Sequence, residues 1–142
     1  MWKLKNKNLI TAILVIFCFA CRKNNSSELV PYYVVNFSFS LSDPQYNKLN
    51  APGAWIYVTG GSRGIIIYRK SNDEFMAYDR HCTYKVEDLC RVNVNSSQVV
   101  AADSCCGSQF VLTDGSIIKG PASRTLTTYR TFFDGNRLQV YN

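Results

Sequence analysis

Apolar and polar residues alternate through YYVVNFSFSL, Tyr32 to Leu41: Val35, Phe37, Phe39 and Leu41 fall on one side, Asn36, Ser38 and Ser40 on the other. That period of two predicts a half-buried strand. The β-branched and aromatic runs AWIYVT, GIIIYR, EFMAYD, SQVVAA, QFVL and RLQVY follow, each with the composition of a strand. In the first of them Trp55 and Tyr57 alternate with Ile56 and Val58, which gives the run two faces. Turn signals separate the runs: Asp43-Pro44, Pro52-Gly53, Gly60-Gly61, Ser71-Asn72-Asp73, Asp114-Gly115 and Asp134-Gly135-Asn136. No stretch sustains a helical stripe, and there is no internal repeat. The pattern predicts an all-β sandwich or small barrel of short antiparallel strands. The nine Tyr and eight Phe suit strand packing better than a ligand-stacking platform.

The first 20 residues stand outside this pattern. Lys3, Lys5 and Lys7 precede an uncharged apolar run from Leu9 to Ala20, the layout of an export signal. The run is shorter than the roughly 20 apolar residues that a bilayer-spanning helix needs. It ends in Cys18-Phe19-Ala20-Cys21, which resembles a bacterial lipoprotein cleavage site with Cys18 at a position where leucine is common. The resemblance implies that residues 1–20 are a lipoprotein signal peptide and that Cys21 becomes a lipidated N-terminus. More than one acyl chain would then hold the protein on a membrane of the bacterial envelope. An ordinary secretory signal is the alternative. Arg22 to Glu28 is polar, so residues 21–29 read as a tether and residues 30–142 as one folded domain, in keeping with a chain of 142 residues.

Charge narrows the partners. The whole chain carries a formal +6, and setting aside the three lysines of residues 1–20 leaves +3. The basic residues are scattered among acids with no stripe that could track a phosphate backbone, so nucleic-acid binding is not expected. The lipoprotein resemblance implies a membrane as partner, through Cys21, and no protein partner is named.

Cys82, Cys90, Cys105 and Cys106 remain within the domain, an even set that in an exported chain reads first as disulfides. Of the three possible pairings, the one joining the neighbours Cys105 and Cys106 makes a strained ring. The spacing C-x7-C-x14-C-C lacks the C-x2-C knuckles of a structural zinc site, so four-thiolate zinc is not expected. Thiol exchange is a weaker reading too, since there is no C-x-x-C and Asp103 disfavours a thiolate beside it. No G-x-S-x-G, histidine pair or Gly-rich phosphate loop is present, so no enzyme chemistry is indicated. Gly60 to Arg63, GGSR, reads as a hairpin turn. His81, the only histidine, reads as a loop residue making a local hydrogen bond.

Two segments gather the reactive side chains: YDRHCTYKVEDLC, Tyr78 to Cys90, and DSCCGSQF, Asp103 to Phe110. A third landmark, KGPA, covers Lys119 to Ala122. In order and spacing they resemble the Rieske iron-sulfur domain over most of Phe75 to Leu126. The resemblance implies an antiparallel β-sandwich or barrel with a loop-rich, cluster-binding-type subdomain at about residues 78–122. It places Cys82, Tyr84, Asp103 and Cys106 at the ligand positions, with Ser108 and Pro121 as loop support. Only Cys82 keeps the family's ligand type, since Tyr84 and Cys106 stand for the two histidines and Asp103 for the second cysteine. A Rieske 2Fe-2S centre takes two thiolates on one iron and two imidazoles on the other. Here each iron would be offered one thiolate and one oxygen, so the expected state is a domain without cofactor. A 2Fe-2S electron-transfer protein with unusual ligands is the alternative. Some Rieske domains tie the first loop to the second by a disulfide, and Cys105 sits at that family position. The resemblance therefore favours a Cys90–Cys105 bridge, with Cys82–Cys106 joined across the cluster position.

Overall fold

The computed structural model describes residues 29–142. The leader, Cys21 and the tether as far as Glu28 lie outside the described residues. Ten strands occur among those that are described: β1 (Asn36–Ser40), β2 (Trp55–Val58), β3 (Ile65–Arg69), β4 (Phe75–Asp79), β5 (Val92–Val94), β6 (Val100–Asp103), β7 (Gln109–Val111), β8 (Ile117–Lys119), β9 (Thr128–Phe133) and β10 (Arg137–Tyr141). They form a six-stranded sheet in the order β1-β10-β9-β4-β3-β2 and a four-stranded sheet in the order β5-β6-β7-β8. Every pairing is antiparallel. The all-β expectation holds.

The larger sheet is apolar on both faces where β3 lies within it. All five residues of that strand are buried. Ile65 and Ile67 join one core with Val35, Phe39, Leu49, Leu138 and Val140. Ile66 and Tyr68 join a second core with Tyr78, Val92, Phe110, Leu112 and Leu126. The strand's period of two thus distributes side chains between two cores rather than between core and solvent. The second core lies under the smaller sheet and its loops. Fully burying a side chain of this size contributes about 1.5–3 kcal/mol, so the loop-bearing sheet is held by packing against β3 and β4.

Among the elements that depart from the sequence pattern, two show the physical reason plainly. After the turn at Asp43-Pro44 the chain continues as a 3-10 helix, Pro44–Asn50, in which the Asp43 side chain accepts from the Gln45 N–H and Leu49 is driven into the first core. The strand β9 was not predicted: its exposed Phe132 and inward-facing Thr131, whose hydroxyl donates to the Phe75 carbonyl, hide the alternation.

Two tyrosines in these cores tie a strand to a loop and a strand to a strand. The Tyr78 hydroxyl donates to the Leu112 carbonyl at 3.1 Å, and the Tyr129 hydroxyl donates to Asp79 Oδ2 at 2.7 Å. Burial, reinforced by Asp114 near Tyr78 and by the Asp79 hydrogen bond at Tyr129, pushes both phenols well above their usual value of 10.0. The unfolded chain therefore loses these protons first, and the stability they support is complete below about pH 10 and falls as pH rises past it. Urea midpoints should decline steeply above about pH 10, and Tyr129→Phe should flatten that decline.

Candidate metal centre between the loops

Three loops meet above the second core. The first, residues 82–90, leaves β4 and is closed at its base by the Val92 N–H to the Arg80 carbonyl and the Cys82 N–H to the Cys90 carbonyl, with a bridge between His81 and Arg91 in the middle. Its tip is a 3-10 turn, Val86–Asp88, flanked by Lys85 and Leu89 at φ of 45° and 55°. Those are left-handed conformations that non-glycine residues adopt at a cost, and they bend the loop back over the site. The second loop joins β6 to β7. The Gly107 N–H donates to the Asp103 carbonyl and the Asp103 N–H to the Ser108 carbonyl, closing a tight turn with Gly107 at φ 78°. The third runs from β8 through Gly120, cis Pro121 and Ala122 to Arg124.

Each pair of loops is fastened. A disulfide joins Cys90 to Cys105, first loop to second. The Thr83 hydroxyl donates to the Arg124 carbonyl at 2.7 Å, first to third. The Ala122 N–H donates to Ser108 Oγ at 2.9 Å, third to second. Ser108 in the second loop accepts from the third, and Pro121 is the cis residue of that third loop. Thr83 and Arg124 had no distinguishing signal in the sequence.

Inside this crown Cys82 is fully buried, Asp103 is 2% exposed and Cys106 is half-buried. The two thiols face each other with their sulfurs 3.9 Å apart. The Cys106 thiol also meets Asp103 Oδ2 at 3.1 Å and Ser108 Oγ at 3.0 Å. One ligating atom from each of Cys82, Asp103 and Cys106 lies within 4.8 Å of the others. Asp103 is oriented by the Cys105 N–H, which donates to its Oδ1 at 2.8 Å. Burial, together with the Asp103 carboxyl, pushes the Cys82 thiol up, against a smaller opposing pull from the Tyr84 backbone N–H. The Tyr84 ring is half-buried against the second core, with the Lys85 ammonium 5.7 Å from its centroid.

The Cys90–Cys105 bridge is present as expected, but Cys82–Cys106 is not: Cys82 and Cys106 are free thiols. Their sulfurs stop at contact distance, because Cys106 Sγ is drawn to the Asp103 carboxyl and the Ser108 hydroxyl. The histidine makes the local hydrogen bond expected of it, to Val86 in its own loop, and a second, long-range one. His81 is fully buried, its Nε2–H donates to the Val86 carbonyl at 2.8 Å, and its Nδ1 faces the Ser62 hydroxyl at 2.8 Å. Both ring nitrogens are engaged, and the contact to Ser62 crosses 19 residues, so it fixes the loop base to the Gly60–Arg63 turn.

Beside it lies a constellation that no sequence signal revealed. Asp79, fully buried, accepts from the backbone N–H groups of Ser62 (2.6 Å), Arg63 (3.2 Å) and His81 (2.8 Å) and from the Tyr129 hydroxyl. A side chain at Gly61, at φ 59°, would collide with Asp79 Oδ2 and the Tyr129 hydroxyl. The GGSR turn therefore serves as a donor cradle for one carboxylate as well as a connection between β2 and β3.

A two-sheet antiparallel domain with two cysteine-bearing loops and a Gly-Pro loop gathered about one donor group has the Rieske fold. The chain is similar in structure to the cyanobacterial plasma membrane Rieske protein PetC3 from Synechocystis PCC 6803, with 23% identity, a TM-score of 0.55 and coverage of 78% of this chain and 100% of that one. It is also similar to a chain of the complex of reduced oxygenase and oxidized ferredoxin in carbazole 1,9a-dioxygenase, with 18% identity, a TM-score of 0.51 and coverage of 75% and 93%. No protein-family model and no curated protein sequence matches the chain. At these identities the likeness is one of fold.

The residues at the pocket do not fit a 2Fe-2S cluster. A Rieske two-iron cluster needs its donors in two pairs, one for each iron, with imidazoles on the second. Here the one histidine is committed elsewhere. The donors aligned with different irons, Cys82 and Asp103 on one side and Cys106 on the other, form one group with ligating atoms within 4.8 Å of one another.

Proposed function

We propose that the protein is an envelope lipoprotein, anchored through Cys21, whose Rieske-like domain works without an iron-sulfur cluster as a binding or structural module. The observation that carries this reading is the pairwise fastening of the three loops by the Cys90–Cys105 bridge and the Thr83–Arg124 and Ser108–Ala122 hydrogen bonds. The loops keep their shape through links that owe nothing to a cofactor. The anchor draws support from Leu29, Tyr32, Tyr33 and Val34, which are 73%, 75%, 51% and 82% exposed. They follow directly on the tether, where apolar and amphipathic side chains of an anchored chain would meet the lipid headgroup region. The domain would begin near residue 30 and extend to the end of the chain.

One preparation tests both halves of the proposal. The full chain, made with cluster-assembly machinery available and handled anaerobically, is expected in the membrane fraction and colourless, without stoichiometric iron or sulfide. Cys21→Ser should move it to the soluble fraction. A brown protein with two irons per chain would favour the rival reading, a 2Fe-2S electron-transfer protein with unusual ligands.

A further inference from the structure

The donors that cannot serve two irons are arranged to serve one ion. We propose that Cys82, Asp103 and Cys106 form a mononuclear site for a thiolate-seeking divalent cation, Zn²⁺, with an open fourth position. The proposal rests on the cluster-free reading above. It differs from a four-thiolate site, for which Cys90 and Cys105 are unavailable because they are joined to each other.

The geometry is that of a chelate. Two thiolates bound about 2.3 Å from one tetrahedral ion lie roughly 3.8 Å apart, and the two sulfurs here are 3.9 Å apart. Asp103 Oδ2 sits 3.1 Å from Cys106 Sγ. That is a hydrogen-bond contact, and it needs to open only slightly when an ion replaces the thiol proton between them. On binding, each thiol gives its proton to solvent and each sulfur gains a metal bond.

Outer partners of the kind that fix metal ligands are already in place. The Cys105 N–H holds Asp103 Oδ1 and leaves Oδ2 turned towards the sulfurs. Ser108 Oγ accepts from the Ala122 N–H and from the Cys106 thiol at 3.0 Å, so once an ion displaces the thiol proton the hydroxyl can turn its own proton to the sulfur. Charge points the same way. Asp103 is 2% exposed, and the ion pair found among the described residues, Lys70–Glu74, lies elsewhere. A carboxylate taken this far from water is ordinarily paired, bound to a metal or, like Asp79, surrounded by donors, and Asp103 accepts from one backbone N–H where Asp79 accepts from three. Two thiolates select zinc over harder ions such as Mg²⁺ or Ca²⁺, while the carboxylate makes the set less suited to Cu(I) than thiolates alone. Three protein donors leave the fourth position for water or a ligand, the arrangement of zinc sites that bind or activate something. Entry is from the side of Cys106, the half-exposed member.

The test uses the full chain purified anaerobically without reductant, so that Cys90–Cys105 stays closed, and titrates it with Co²⁺ as a spectroscopic stand-in. One equivalent should bind, with a near-ultraviolet thiolate-to-cobalt charge-transfer band that Zn²⁺ abolishes by displacement. Cys106→Ser should roughly halve that band and weaken binding at least tenfold. Asp103→Asn should also weaken binding about tenfold while the band survives. Cys106 is only half-buried, so its serine variant should remain folded, checked by circular dichroism and by retention of the disulfide. Unchanged cobalt affinity in Cys106→Ser would overturn the proposal, as would a wild-type chain that shows no charge-transfer band or carries a Cys82–Cys106 disulfide. Those outcomes leave the cluster-free reading standing. An iron-sulfur chromophore in the same protein would sink both.

Discussion

Asp79→Ala should destabilise the domain by about 3–5 kcal/mol, the largest effect expected of any single polar substitution. The wild-type carboxylate accepts four hydrogen bonds inside the protein, three from backbone amides and one from Tyr129. Removing it orphans all four donors, and a buried donor left without a partner costs about 1–3 kcal/mol. The alanine methyl cannot fill the space, and water reaching the site recovers part of the loss, which keeps the total below the simple sum. Asp79→Asn keeps one acceptor oxygen and should cost roughly half as much. Gly61→Ala should resemble Asp79→Ala, because its methyl would force Asp79 and the Tyr129 hydroxyl away from their partners and its φ of 59° suits glycine. Urea unfolding with an unchanged m-value measures all three. An Asp79→Ala variant within about 0.5 kcal/mol of wild type would show that the cradle does not hold the loop base.

The second large effect belongs to the disulfide. Replacing both Cys90 and Cys105 by serine removes the bridge without leaving a stray thiol to pair with Cys106. The bridge spans a sequence separation of 15, and a loop of that length restricts the unfolded chain by about 3 kcal/mol. The double variant should lose about that much. The loss should appear mainly as faster exchange or proteolysis of residues 82–90 and 104–107, because those loops lose one of their three fastenings while the β3–β4 core is untouched. Equal susceptibility throughout the domain would argue that the bridge acts on the fold as a whole. Treating the wild type with a reductant should reproduce the variant's behaviour.

The parts of this architecture that the sequence discloses are those in which a local pattern coincides with a local cause. The strand from Asn36 to Ser40 shows because one face is wet. Ile65 to Arg69 shows through β-branched composition even though both faces are dry. Three-residue strands such as Val92–Val94 and Ile117–Lys119 are too short for a period to register. The resemblance located the candidate donors Cys82, Asp103 and Cys106 and the Cys90–Cys105 bridge. It did not foresee that Cys82 and Cys106 would stop short of bonding, because that depends on where Asp103 Oδ2 and Ser108 Oγ sit. The Asp79 cradle was illegible for a related reason. Its members lie 16 and 17 residues upstream, two downstream and 50 downstream of the carboxylate, and only the tertiary fold brings them together.

The loop crown described above also bears on how such a domain can be made. Where a cofactor holds the loops, the polypeptide must meet that cofactor before it can finish folding, and the place of assembly is the place where the cofactor is supplied. Here the final fastenings are one oxidation and two hydrogen bonds, none of which needs a delivered part. Under the proposed export, the chain would cross a membrane as an unfolded thread and close its loops on the far side, where oxidising conditions favour the bridge. Maturation then becomes a matter of compartment rather than of cargo.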